Sequence, residues 1–173
     1  MKKSAIVYDL LPAKPERELF CDVIRILRKE FRGPNFEPHL TLSVTTKDRV
    51  SPVKVLRQIR SRSIRLSVRG VAQSPKFTKT LFVRFKSSPQ LRKLVSELGR
   101  AAGLSMKPPT DPHVSLLYKK MPAATKKELA KMIKLPFRSA RFDSIAAVRI
   151  MLPVQTGADA EKWKIVAKKS LRR

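Results

Sequence analysis

The chain has 173 residues, with 39 Lys and Arg against 13 Asp and Glu, so its formal net charge is +26 and its sequence pI is about 11.2. At 42% hydrophobic and 30% charged residues it is too apolar for a wholly disordered basic tail, and about 150 residues already bury roughly two-thirds of the unfolded surface. Cys21 is the single cysteine, which excludes an internal disulfide framework and a cysteine-based metal cluster and fits a reducing compartment.

These numbers predict one folded domain over 1–173, built of two small lobes. No run approaches the roughly 18 apolar residues of a membrane span, and the apolar part of Met1–Leu11 is short for a secretory signal. A soluble cytoplasmic monomer with no membrane partner is expected, with nuclear placement open because Lys168 to Arg173 weakly resembles a localisation signal. The surplus of Lys and Arg points to nucleic acid bound through a basic surface.

Along the chain, Ala5–Tyr8 reads as a strand and Pro15–Phe31 as a helix, in which Leu19, Phe20, Val23, Ile24, Leu27 and Phe31 recur at helical spacing. Gly33 and Pro34 stop that helix, and a strand follows from His39 to Val44. Ser51 and Pro52 open a short helix reaching Ile59. Ile64, Leu66 and Val68 alternate with Arg65, Ser67 and Arg69 in a half-buried strand.

The second half repeats the order. Leu81, Val83 and Phe85 mark a strand, Ser88 and Pro89 open a helix that Gly103 ends, and a strand runs from His113 to Tyr118. Thr125 with Glu128 forms a capping-box pattern for a helix through Ile133. Two strands, about Ile145–Leu152 and Trp163–Ala167, close the chain. The expected architecture is one compact α+β unit whose two halves each hold antiparallel strands backed by helices.

The only two histidines sit in matching surroundings, Glu37-Pro38-His39-Leu40-Thr41-Leu42 and Asp111-Pro112-His113-Val114-Ser115-Leu116. Strand alternation puts His39 and Thr41 on one face with Leu40 and Leu42 in the core, and repeats this for His113 and Ser115. Each motif therefore offers an imidazole that can act as general acid or base near neutral pH, next to a hydroxyl that can donate to an anionic oxygen. Two copies facing across a cleft hold a phosphate between an acid and a base. A pair of His alone is short of the three or four protein ligands of a usual zinc site, so no metal is expected.

At these residues the chain resembles the 2H phosphoesterase superfamily, and within it the cyclic nucleotide phosphodiesterases of the plant and yeast type. Gly33 to Thr41 is similar to that family's first block, Pro112 to Tyr118 to its second, Lys79 to Phe85 to its central strand, and Glu161 to Val166 to its closing strand. The resemblance implies a bilobal duplicated α+β fold, with two antiparallel sheets around a central cleft and helices outside, and metal-independent, cofactor-free hydrolysis of a cyclic phosphate, with His39 and His113 as the acid/base pair and Thr41 and Ser115 orienting the phosphate. It also makes Tyr118 a candidate contact for the nucleoside, with Tyr8 in the position where relatives often carry Trp. The chain departs from the plant enzymes in lacking their cysteine pairs and in its far larger positive charge. The expected substrate is a cyclic nucleotide, ADP-ribose 1″,2″-cyclic phosphate or RNA ending in a cyclic phosphate. Two alternatives stand beside it: an RNA 2′,5′-ligase using the same His pair in reverse, and a non-catalytic basic RNA-binding module.

Overall fold

The computed structural model describes residues 1–47 and 49–173. Among them are seven strands, β1 (Lys3–Pro12), β2 (Leu40–Thr45), β3 (Ile64–Gln73), β4 (Leu81–Phe85), β5 (His113–Leu117), β6 (Ser139–Leu152) and β7 (Lys164–Ser170). The helices are α1 (Glu16–Phe31), α2 (Pro52–Gln58), α3 (Pro89–Ala102), α4 (Ala123–Met132) and α5 (Gly157–Glu161), with a 3₁₀ turn at Phe77–Lys79 before β4. No helix among the described residues is long and apolar enough to cross a membrane.

Local chemistry explains most of the boundaries. In α1, Phe20, Ile24 and Leu27 form the buried stripe, while Glu16 and Glu18 in the first turn and Arg28 and Lys29 in the last complement the helix dipole. The Ser51 and Ser88 hydroxyls cap α2 and α3 by accepting from the Lys54 and Leu91 amides, with Pro at the first helical position of each. Gly103 ends α3 at φ +64°, a left-handed conformation that suits glycine. The capping box proposed at Thr125 and Glu128 does not form: α4 starts earlier, after Pro122, with no side-chain cap. The box that does form is Thr156 with Asp159, at the start of α5, a helix absent from the sequence reading.

All strand pairings are antiparallel, in the order β1-β2-β5-β4-β3-β6-β7, and β1 also pairs with β6. The two sheets expected from the family resemblance are thus hydrogen-bonded into one seven-stranded sheet whose first six members close into a ring. Two joints make the connection. At one, Leu40 pairs with Val114; at the other, Ile64–Ser67 run against Ser139–Phe142.

Strand alternation splits β1 between two cores. Ile6, Tyr8 and Leu10 enter the main core with Phe85, Phe142 and the apolar faces of α1, α2 and α3. Ala5, Val7 and Leu11 join a smaller cluster with Ala146, Val148 and Ile150, over which Val154 and Trp163 pack. At the open end of the sheet, β7 pairs only with β6 and carries Lys164, Lys168 and Lys169.

Candidate active site

His39 lies immediately before β2 and His113 begins β5, so the Leu40–Val114 pairing brings the twin motifs side by side at a joint of the ring. Each imidazole is fixed in the same way: Nδ1 of His39 faces the Glu37 carbonyl at 2.6 Å, and Nδ1 of His113 faces the Asp111 carbonyl at 2.8 Å. Pro38 and Pro112 stand between each carbonyl and its ring, and their fixed φ near −65° favours the tight local turn. With Nδ1–H donating to a carbonyl, Nε2 is the nitrogen left to exchange a proton.

The two hydroxyls follow the expected strand faces. Thr41 Oγ1 donates to Asp9 Oδ1 at 2.9 Å, and Ser115 Oγ donates to the Thr78 carbonyl at 2.8 Å. Leu40, Leu42, Val114 and Leu116 are buried behind them. His39, Thr41, His113 and Ser115 all line one cleft of about 400 Å³.

Around this shared centre the neighbours differ. On the His39 side, Asp9 is 3% exposed and is the one carboxylate among the residues lining the cleft. Burial pushes its carboxyl above the usual range, against the opposing pull of His39 and the Thr41 hydrogen bond. On the His113 side, Lys79 Nζ and Arg84 Nε grip Asp111 at 2.7 and 2.8 Å, and Lys79 lies 4.5 Å over the Phe82 ring. Burial alone raises the Asp111 carboxyl, but the two cations outweigh it and hold it below its usual range. Burial pulls the His113 imidazole below its ordinary range, and the charge of Lys79 adds to that pull against the bond to the Asp111 carbonyl.

Tyr118 is 2% exposed and lines the cleft, with its hydroxyl 3.5 Å from His39 Nε2. Its ring stacks on Phe36 at 3.9 Å and meets Trp163 edge-on at 5.9 Å. Burial, followed by the nearby Asp9 charge, drives the phenol far above its usual range, so it stays protonated. Tyr8 is placed differently from its expectation. Its ring points into the main core at 2% exposure and lines neither the cleft nor the cavity beside it, because strand alternation turns its neighbours Val7 and Asp9 to the cleft instead.

Asp9, Lys79, Phe36 and Trp163 are the site residues that the motifs do not reveal. One signal was available for the first: Asp9 is the lone charge inside the apolar run Ala5–Ala13, and a buried charge requires a reason. Among the described residues, no group of three His, Cys, Asp or Glu side chains is placed to hold a metal ion.

The chain is similar to known proteins over this same frame. The sequence model of the 2′-5′ RNA ligase superfamily matches residues 34–150, which include both motifs. A cyclic phosphodiesterase of Arabidopsis thaliana is 25% identical over 130 residues, covering 73% of this chain and 72% of its own. Among solved structures, Escherichia coli LigT complexed with 3′-AMP aligns over the whole of both chains with a TM-score of 0.59 at 16% identity. A protein of Thermus thermophilus aligns over 99% of this chain and 98% of its own, with a TM-score of 0.57 at 19% identity. These structural likenesses establish the fold, and the sequence match over both histidine motifs goes further: the chain belongs to the 2′-5′ RNA ligase (2H phosphoesterase) superfamily.

Proposed function

We propose that the protein hydrolyses a 2′,3′-cyclic phosphate, at RNA ends or on their fragments, to a phosphomonoester, with His113 as general base and His39 as general acid. ADP-ribose 1″,2″-cyclic phosphate presents the same strained diester. The observation that carries this reading is the convergence of both imidazoles and both motif hydroxyls on one cleft, with each Nδ1 tied to a backbone carbonyl.

Neutral His113 takes a proton from water at Nε2 as the water oxygen bonds to phosphorus. The bond from phosphorus to one ribose oxygen breaks in line, and that oxygen takes the proton from His39 Nε2. The assignment of roles follows the environments. Burial and Lys79 favour the neutral form of His113, as a base requires, while His39 has the Asp9 carboxyl on its side of the cleft in place of a cation. Thr41, Ser115 and Lys79 lie on the cleft wall where charge develops on the phosphoryl oxygens. A 5′-hydroxyl in place of water turns the same steps into 2′,5′ ligation, the reading that the superfamily's description favours.

The test is turnover of a 2′,3′-cyclic nucleotide by His39→Ala and His113→Ala, each expected to lose about 10² to 10⁴ in rate. Near-normal turnover in both variants overturns the mechanism and leaves a basic binding module. Repeating the assay at two salt concentrations with a cyclic mononucleotide and a cyclic-phosphate-ended oligonucleotide locates the role of the surface charge. A steep salt loss confined to the oligonucleotide is the expected result.

A further inference from the structure

A second cavity, of about 330 Å³, adjoins the cleft and shares Asp9, His39 and Trp163 with it. The partition is aromatic: Trp163 meets His39 edge-on at 5.7 Å, and Phe36, on the second cavity, stacks against Tyr118, on the cleft. The Trp163 indole N–H is buried at this wall without a hydrogen-bond partner among the described residues. The segment bearing α5 and Trp163 is held over the site by Lys2, which pairs with Asp159, and by Gly157, which faces Pro34.

The charges of the two compartments differ in a way that sorts their ligands. The cleft sets Lys76 and Lys79 against Asp9, as a phosphate requires. The second cavity sets Arg17 and Lys168 against Asp9, Glu37 and Glu161, three of the 13 acidic residues of a +26 chain. Arg17 is moreover engaged by Glu37 at 2.8 Å. A phosphate is poorly served there, whereas a flat, uncharged group with hydrogen-bond donors on its edge is well served. Aromatic rings supply the stacking face, and Asn35 and Glu161 supply acceptors.

We infer that the second cavity is a nucleobase subsite for the nucleotide preceding the cyclic phosphate, which makes the substrate an RNA of at least two nucleotides. This rests on the cyclic-phosphate reading: an RNA ending in that group has a neighbour only on its 5′ side. A purine offers the aromatic wall a larger stacking face than a pyrimidine, and the adenine amino group can donate to Glu161, so the subsite favours adenine over uracil.

The experiment compares kcat/KM for a nucleoside 2′,3′-cyclic phosphate with that for dinucleotides sharing the same terminus and carrying adenine or uracil before it, all at one salt concentration. The adenine dinucleotide is expected to exceed the mononucleotide by about tenfold, within what stacking one base supplies, with the uracil dinucleotide between them. Asn35→Ala and Glu161→Gln are expected to bring that ratio toward one, with thermal melting confirming the fold of each. A mononucleotide turned over as well as both dinucleotides overturns the subsite while leaving the proposed function intact. A dinucleotide advantage that neither variant reduces also overturns it, and assigns the gain to the extra phosphate. If no cyclic phosphate is turned over, the proposed function fails and binding still decides the subsite. Trp163 is the only tryptophan, and its fluorescence should respond to an adenine dinucleotide 3′-phosphate at lower concentration than to a mononucleoside 3′-phosphate. Equal affinities overturn the inference.

Discussion

The two histidine motifs are nearly interchangeable as sequence, yet the structure gives them opposite surroundings. His39 looks onto a buried carboxylate and a wall of aromatic rings, whereas His113 looks onto Lys79 with Arg84 and Asp111 behind it. The difference comes from strands that the motifs do not contain: β1 delivers Asp9 beside β2, and the turn before β4 delivers Lys79 beside β5. Two like motifs become unlike when each borrows charge of a different sign from its neighbour in the sheet.

The most severe way to probe this contrast is to remove each imidazole in turn and record the pH profile. Both His39→Ala and His113→Ala should fall by about 10² to 10⁴, but only His113→Ala should lose the acid limb of kcat/KM, because only a base must be neutral to act. A profile in which His39→Ala loses that limb reverses the assignment. Next in size are the hydroxyls. Thr41→Ala and Ser115→Ala should each cost about 10²-fold at most, the lower end for an oxyanion donor, since their hydrogens already serve Asp9 and Thr78. Steady-state kcat on a cyclic mononucleotide checks this.

Asp9→Asn is expected to lower kcat about tenfold, the equivalent of roughly 1.4 kcal/mol, and to leave the acid limb where it is. Lys79→Ala acts on the other half. In the native protein the limb is expected below the ordinary imidazole range, because burial favours the neutral form of His113. Removing the Lys79 charge favours the imidazolium, so the limb should move to higher pH. A limb that stays or moves lower in Lys79→Ala rejects the electrostatic part of the contrast. The smallest effect is on stability. Asp111→Asn should cost at most about 1 kcal/mol, because its ion pairs are partly exposed and solvent-screened. Thermal melting measures this directly.

What the sequence reveals is local. Helix α3 is legible to the residue because Ser88, Pro89 and Gly103 mark its ends, and strand β4 because Leu81, Val83 and Phe85 alternate over its whole length. The faces of the two motif strands are equally plain from alternation. Strand β1 is read too short because Leu10 to Pro12 give no sign that the chain stays extended between β2 and β6. Strand β6 begins six residues before its predicted start at Ile145, with Arg141 and Asp143 in a stretch that one edge of β3 holds in place. The same reason hides Asp9, Lys79 and Trp163: their meeting depends on pairings between distant strands, which a single sequence does not display. Tyr8 shows the converse, since an aromatic matched by position alone lies between Val7 and Asp9, and strand alternation that turns those two to the cleft turns it to the core.

Closure of six strands into a ring leaves β7 as the terminal strand of the sheet among the described residues. Unpaired strand edges invite a second molecule to add its own strand, and natural proteins discourage this with lysines. Lys164 and Lys168 are exposed on β7, while Lys169 folds back onto the carbonyls of Arg57 and Ile59. Lys164 lines neither cavity, and at this edge its charge is of the kind that discourages such strand addition. Neutralising Lys164 should show itself as lost solubility at high protein concentration, with the chemistry of the cleft untouched.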